Sequence, residues 1–195
     1  MEDYTFTGCI MLGFAPVSSR YNWFNVLKNT DVNWNQVLNY EYEPHVTLLY
    51  GIHRDDIQFK SFKESISNIF IPTDSDMAKQ PGIQIPPQIE IDNRVSYFES
   101  PDRKVMKFNI PKDSLSFLKL SILRQRLRLN FRYQLTHPNY HAHVTALYLE
   151  PSFKNKICYF NKENKLNDSF MLDVQNLILS YRDDNGNLIN DIIPL

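Results

Sequence analysis

The heptapeptide Pro44-His45-Val46-Thr47-Leu48-Leu49-Tyr50 returns as Ala142-His143-Val144-Thr145-Ala146-Leu147-Tyr148, 98 residues later, with five of seven positions identical. The chain has 195 residues, so equivalent elements stand about half a chain apart and the fold is expected to have matching halves. Both copies are rich in Val, Leu, Thr and Tyr, which suit a pleated, half-buried strand. Strand side chains alternate between faces, so His45, Thr47 and Leu49 share one face while Val46, Leu48 and Tyr50 share the other. His143, Thr145 and Leu147 group in the same way. Tyr50 and Tyr148 are therefore expected to point away from the imidazoles, into core packing, unless a bulge re-aims one of them.

Two of only five histidines occupy these equivalent points. In a strand the imidazole and hydroxyl of each copy stand roughly 7 Å apart, a gap that a phosphate can bridge by accepting hydrogen bonds from both. A helix would send residues i and i+2 in different directions and destroy the pairing. With an unperturbed pKa near 6.5, one imidazole can take a proton while the other, protonated, gives one. The threonine hydroxyls would donate to non-bridging oxygens as charge builds on them. His45, Thr47, His143 and Thr145 are thus the candidate catalytic residues, and the chemistry requires no metal and no cofactor. Symmetry does not say which histidine is base and which is acid.

The doubled motif resembles that of the 2H phosphoesterase superfamily, whose signature is hydrophobic-His-hydrophobic-Thr/Ser-hydrophobic, present twice. Pro44 and Ala142 at the first position depart mildly from it, and His45, Thr47, His143 and Thr145 match residue by residue. The resemblance implies an α+β fold of two pseudo-symmetric lobes, with antiparallel sheets facing a central cleft and helices outside, spanning residues 1–195 as a single bilobal domain. It also implies a phosphodiesterase. The context from Glu43 to Gly51 is most similar to the phage anti-CBASS branch, which cleaves cyclic di- and trinucleotide signals. A 2′,5′-oligoadenylate or 2′,3′-cyclic nucleotide phosphodiesterase, or an RNA ligase-like protein, could present the same motifs. A noncatalytic nucleotide-binding sponge would be marked by degraded motif residues, and all four are intact.

Charge narrows the partner. Lys plus Arg number 21 against 22 Asp plus Glu, a net charge of −1, which suits a small nucleotide or cyclic oligonucleotide better than long nucleic acid held through many phosphates. Cys9 and Cys158 stand in unrelated contexts, so neither a disulfide framework nor a zinc site is expected, and a reducing compartment is the default. The acidic start Met1-Glu2-Asp3-Tyr4 is unlike a signal peptide, and the apolar run Cys9–Leu12 is too short to span a membrane. A soluble, cytoplasmic protein is expected (in the host cytoplasm if viral), with its oligomeric state left open.

Along the chain, a strand is expected over Thr7–Phe14, a helix over Tyr21–Asn29 and a further helical turn or two within Asn33–Tyr40. The first motif strand covers Pro44–Gly51. Asp55-Asp56 opens a helix with Phe59, Phe62, Ile66 and Ile69 on one face, closed by Pro72. Residues 72–88 form a proline-rich loop, either a connection or a lid. Strands follow at Gln88–Ile91, Val95–Glu99 and Val105–Ile110. A helix runs from Pro111 to about Leu129, with Leu115, Leu118, Ile122, Leu123 and Leu127 as its inner stripe. The second motif strand covers Tyr140–Leu149, a short helix lies near Pro151–Tyr159, and Phe170–Tyr181 pairs with Leu188–Ile193 as a hairpin around Asp184-Asn185-Gly186.

Substrate contacts are less defined. His141 shares the face of His143 by alternation; it would touch substrate or, as a His-x-His pair, suggest metal, but no third ligand is near it in sequence. Bases need stacking surfaces, and Tyr140, Tyr4, Phe6 and Trp23, with Tyr97 and Phe98, lie where strands end or loops begin. His53 and His137 are expected exposed in turns. Arg124, Arg126, Arg128 and Arg132 form either a solvated face or a phosphate contact.

Overall fold

A computed structural model describes residues 6–17, 22–29, 32–57, 66, 85–134, 139–154, 169–183 and 185–195. The strands are β1 (Phe6–Phe14), β2 (Val37–Tyr40), β3 (His45–His53), β4 (Gln88–Asp92), β5 (Val95–Glu99), β6 (Lys104–Asn109), β7 (His143–Leu149), β8 (Ser169–Arg182) and β9 (Leu188–Pro194). The α-helices are α1 (Trp23–Asn29) and α2 (Leu115–Asn130).

All nine strands belong to one curled antiparallel sheet in the order β4-β8-β1-β3-β7-β6-β5, with β9 on β8 and β2 on β7. The first motif strand sits at the inner edge of one half, β4-β8-β1-β3, and the second at the inner edge of the other, β7-β6-β5. The halves meet where Val46 pairs with Val144. Beyond that point the strands diverge: β2 takes up the edge of β7 through Val37–Leu149 and Tyr40–Leu147, while Tyr133 bridges to Ile52 on β3. Val46 and Val144 are fully buried, each contributing roughly 1.5–3 kcal/mol of apolar burial, so core packing at least as much as sheet hydrogen bonding holds the junction.

Each motif strand carries a bulge at the same place. The register steps from Ile10–Leu49 to Met11–Thr47, leaving Leu48 over, and from Met106–Leu147 to Lys107–Thr145, leaving Ala146 over. The two extra residues are again 98 positions apart. A bulge inserts one residue and so reverses the alternation beyond it. Tyr50 is thereby brought to the face of Thr47, and Tyr148 to the face of Thr145. The core-facing expectation for both tyrosines is corrected; Tyr50 is 54% exposed. The carbonyl of Ala146 accepts a hydrogen bond from the Glu41 N–H at 3.0 Å, so that displaced residue is not left unsatisfied.

Helix α2 packs on the other side of the sheet. Ser114 caps it, its hydroxyl accepting from the Phe117 N–H at 3.0 Å. The buried stripe is Ser116, Leu120, Leu123 and Leu127, whereas Leu115, Leu118 and Ile122 are exposed, so the expected stripe is rotated. Apolar residues surround this helix, and Ser116 fixes its rotation: its hydroxyl accepts the β4 Glu90 N–H at 2.8 Å. Other boundaries also shift. Asn33–Tyr40 supplies one 3-10 turn (Trp34–Gln36) and then β2, because the free edge of β7 offers ladder partners. After β3 the chain makes a 3-10 turn, Arg54–Ile57, with the Asp56 carboxylate bound by the Arg132 N–H at 2.7 Å and by its guanidinium at 2.8 Å. Of the helix expected after Asp55, Ile66 is helical and buried, while Phe59, Phe62 and Ile69 lie outside the described residues, as do 72–84 of the proline-rich stretch. Pro151–Lys154 form a turn rather than the start of a helix, and 155–159 lie outside the description. The hairpin β8–β9 is as expected, with the Asp183 carboxylate gathering the N–H groups of Asn185 and Asn187 at 2.8 Å each; Asp184 is not described.

Candidate active site

Opposite the buried valines, the sheet presents His45, Thr47, His143 and Thr145, all half-buried. In an antiparallel pair centred on Val46–Val144, the flanking residues oppose each other, so His45 stands across from Thr145 and Thr47 across from His143. Beyond this point β3 and β7 take different neighbours, Tyr133 on β3 and β2 on β7, so the four side chains stand where the two halves of the sheet part.

The two imidazoles are held alike. His45 Nδ1 lies 2.9 Å from the carbonyl oxygen of Glu43, and His143 Nδ1 lies 2.7 Å from that of His141. A carbonyl can only accept, so Nδ1 carries the proton in both rings. The remaining nitrogen, Nε2, is then a lone pair on a neutral ring or an N–H on a charged one, the two states needed of a base and an acid.

Their surroundings differ. Burial above all pushes the pKa of His143 below its ordinary value; the charges of Lys107, His45 and His141 add to this, and the bond to the His141 carbonyl opposes it. The Phe98 ring meets His143 edge-on at 5.9 Å and is 41% exposed. Lys107 pairs with Thr145 and Asn109 with His143 along β6, whereas the corresponding neighbours along β1 are Met11 for Thr47 and Gly13 for His45. The Thr47 side chain hydrogen-bonds with the Cys9 thiol, which burial pushes up to about 12, so it stays protonated. Across Gly13 lies Asn176 of β8, whose buried Oδ1 has no hydrogen-bond partner.

Several expected contacts fall elsewhere. Tyr140 is already engaged within the chain: it precedes β7, its hydroxyl donates to the Thr47 carbonyl at 3.1 Å, its ring stacks with Phe117, and the Arg124 guanidinium lies 4.7 Å from the ring centre. It ties the two motif segments together. Trp23 is 2% exposed, its indole N–H donating to the Glu41 carbonyl at 2.9 Å and its ring edge-on to Phe108, so it is core. His141 is exposed and acts on His143 through its carbonyl and its charge. Phe6 begins β1 opposite His53, and nothing further is described of its side chain; Tyr4 and His137 lie outside the described residues. Tyr97 packs against Phe153. His53 ends β3 with its side chain 18% exposed, accepting the Asp55 N–H, rather than standing free in a turn.

Three of the four clustered arginines are engaged by their own chain: Arg124 with Tyr140, Arg128 with the Tyr133 hydroxyl and ring, and Arg132 with Asp55 and Asp56. Among the described residues no group of three His, Cys, Asp or Glu is placed to hold a metal ion, and no helix is long and apolar enough to cross a membrane. Sequence reasoning missed Lys107 and Asn109. The visible signal was a lysine set between Met106 and Phe108 in β6.

No family model matches the chain, and no curated protein matches it by sequence. Solved structures do match. E. coli LigT in apo form is 10% identical, with 96% of this chain and 95% of that chain covered and a TM-score of 0.53. E. coli LigT complexed with 3′-AMP is 11% identical over the same shares, with a TM-score of 0.54. Kluyveromyces marxianus Usb1 is 9% identical, with all of both chains covered and a TM-score of 0.52. At such identities the likeness is one of fold: the curled antiparallel sheet is shared with E. coli LigT and K. marxianus Usb1.

Proposed function

We propose that this chain, whose fold is similar to that of LigT and Usb1, is a 2H phosphoesterase: a metal-independent phosphodiesterase that cleaves small cyclic oligonucleotide signals by paired histidine acid–base catalysis. The observation that carries the reading is the twin anchoring of His45 and His143. Both rings have Nδ1 bound to a carbonyl two residues upstream, on adjoining strands whose histidines and threonines share one face. An arrangement duplicated in this detail suits in-line displacement at phosphorus, which needs a proton acceptor and a proton donor on opposite sides of one group.

His143 is the base, because burial and the neighbouring cations keep it neutral. Its Nε2 takes the proton from the attacking hydroxyl, either the substrate's own 2′-OH or water. The new O–P bond forms as the bond to the leaving oxygen breaks, and protonated His45 gives its Nε2 proton to that oxygen. Thr47 and Thr145 donate to the non-bridging oxygens, where charge accumulates. Tyr50 and Phe98, both exposed and close along the strands to the motif residues, offer surfaces on which bases stack.

A nucleotide as ligand is supported by the fold neighbour solved with 3′-AMP. The choice of cyclic di- and trinucleotide signals, and of a viral anti-CBASS role in the host cytoplasm, rests on the resemblance of Glu43–Gly51 to the phage branch. The test is a product screen in excess chelator with cyclic di- and trinucleotides, linear 2′,5′-oligoadenylate and 2′,3′-cyclic AMP. Cleavage of the cyclic signals is expected. Turnover of only one of the other two reassigns the substrate, and tight binding without any turnover identifies a sponge.

A further inference from the structure

We infer that Lys107 is a further anion-binding residue of this site, its ammonium contacting a non-bridging oxygen of the bound phosphate from the β6 side. The inference rests on the phosphodiesterase reading for the identity of the ligand, but not for the existence of the site.

Cross-strand partners share a face, so Lys107 stands on the face of Thr145, and Thr145 stands across from His45. The lysine is therefore in one row with two of the four motif residues. Its position is also the point at which the internal symmetry fails. The equivalent neighbour of Thr47 in the other half is Met11, so a cation flanks only one side of a pair of otherwise matched motifs.

The state of the ammonium points to a missing partner. Lys107 is half-buried, and its Nζ donates to Asn109 Oδ1 at 2.8 Å. That oxygen also accepts from the Ser96 hydroxyl at 3.1 Å, and the Asn109 side chain hydrogen-bonds with Asp92. An ammonium has three N–H donors, and no carboxylate pairs with Lys107 among the described residues. Lys104, three residues nearer the start of β6, shows the ordinary solution for a buried lysine. Its Nζ donates to the Phe153 carbonyl at 2.7 Å and pairs with Glu99 at 3.1 Å. Removing a cation from water without a counter-charge is costly, and desolvation pulls the Lys107 pKa down accordingly. A phosphate oxygen supplies the counter-charge. The Phe98 ring, 6.0 Å from Nζ, fences the ammonium on its β5 side.

The same charge bears on His143. The groups facing that imidazole are Lys107 from β6, His45 from β3 and His141 from the segment leading into β7, and each disfavours a further positive charge on it. Lys107 thus binds the anion and adds to the burial that disfavours charge on the adjacent imidazole, which helps to separate the roles of two histidines that the repeat alone leaves equivalent.

The test is a titration of the whole chain with inorganic phosphate, followed through the imidazole resonances of His45 and His143, for wild type, Lys107→Met, Lys107→Gln, Lys107→Arg and, as a charge control, Lys112→Met. Loss of a charge-assisted contact should weaken phosphate binding about tenfold or more in the Met and Gln variants. The Arg variant should stay within about threefold of wild type, since it keeps the charge and a donor. Lys112→Met should match wild type. The His143 titration midpoint should rise in the Met and Gln variants. Lys107→Gln keeps a hydrogen bond to Asn109, so it reports on charge even where Lys107→Met unfolds. Unchanged phosphate affinity in the uncharged variants, or a wild-type protein whose imidazoles do not respond to phosphate, overturns the inference. Phosphate binding that depends on Lys107, together with an empty product screen, would instead retain the anion site and discard the phosphodiesterase.

Discussion

Val46 stands directly across from Val144 at the junction of the two halves, and both are fully buried. Because each valine is flanked by its own histidine and threonine, this one contact sets the relative position of all four polar side chains. Apolar packing on one face thereby fixes the placement of the polar side chains on the other.

Removal of either imidazole should be decisive. His45→Ala and His143→Ala are each expected to lower kcat by about 10²–10⁴-fold, with the thermal midpoint little changed, since each ring's described bond is to a local carbonyl. The double variant should be scarcely worse than the poorer single one, because two groups acting on one displacement are not additive. A single variant that keeps most of its turnover would remove that histidine from the mechanism.

The threonines should show in kcat more than in KM. Thr47→Val and Thr145→Val keep the strand shape while deleting a donor, and losses of about 10²–10³-fold in kcat are expected by analogy with other oxyanion donors. Cys9→Ser should be mild by comparison, since the thiol reaches the site only through Thr47. Steady-state kinetics on purified variants separates these cases.

The acid limb of the rate profile should lie below pH 6.5. A base must be neutral, and the depressed pKa of His143 keeps it so to lower pH than an ordinary histidine. As pH falls through that depressed value, kcat/KM should drop. The observed constants belong to the coupled pair rather than to one ring. An acid limb above pH 6.5 in the wild type would contradict the assignment of His143 as base.

Asp56 should matter to stability in a pH-dependent way. Its hydrogen bonds and charge pairing with Arg132 hold its carboxyl below the usual carboxylate range. A lowered folded-state pKa adds stability that is present above the unfolded value near 3.8 and is lost as pH falls through the folded one. Asp56→Asn should therefore lower the thermal midpoint at pH 7, with the difference from wild type shrinking below pH 3.8. A constant difference across that range would assign the effect to packing instead.

Gly51 has φ of +72°, and a Cβ there would lie 3.2 Å from the Gln134 carbonyl oxygen. Gly51→Ala should cost about 1–2 kcal/mol, read as a shift in the urea midpoint. The Gln134 N–H donates to the Gly51 carbonyl at 2.8 Å, so the strain falls where the chain after α2 closes on the end of β3.

The repeat determined the strands, their common face and the identity of the four motif residues, because period-two alternation is a local property of the backbone and is written into every pair of positions. It did not determine which face the two tyrosines take. The bulges at Leu48 and Ala146 arise from how β1 and β6 register against the motif strands, and register is a relation between distant segments. For the same reason the inner stripe does not include Leu115, Leu118 and Ile122: the apolar residues of this helix are spread around its circumference, and the Ser116 bond to Glu90 marks the face that is buried. Tyr140 and Trp23 looked like open aromatics and proved to be a tether and a core side chain, since burial depends on what packs above a residue. Lys107 gained its meaning only from its neighbours. A charge in a strand is ordinary until tertiary structure withholds its counter-ion and places it beside one imidazole of two.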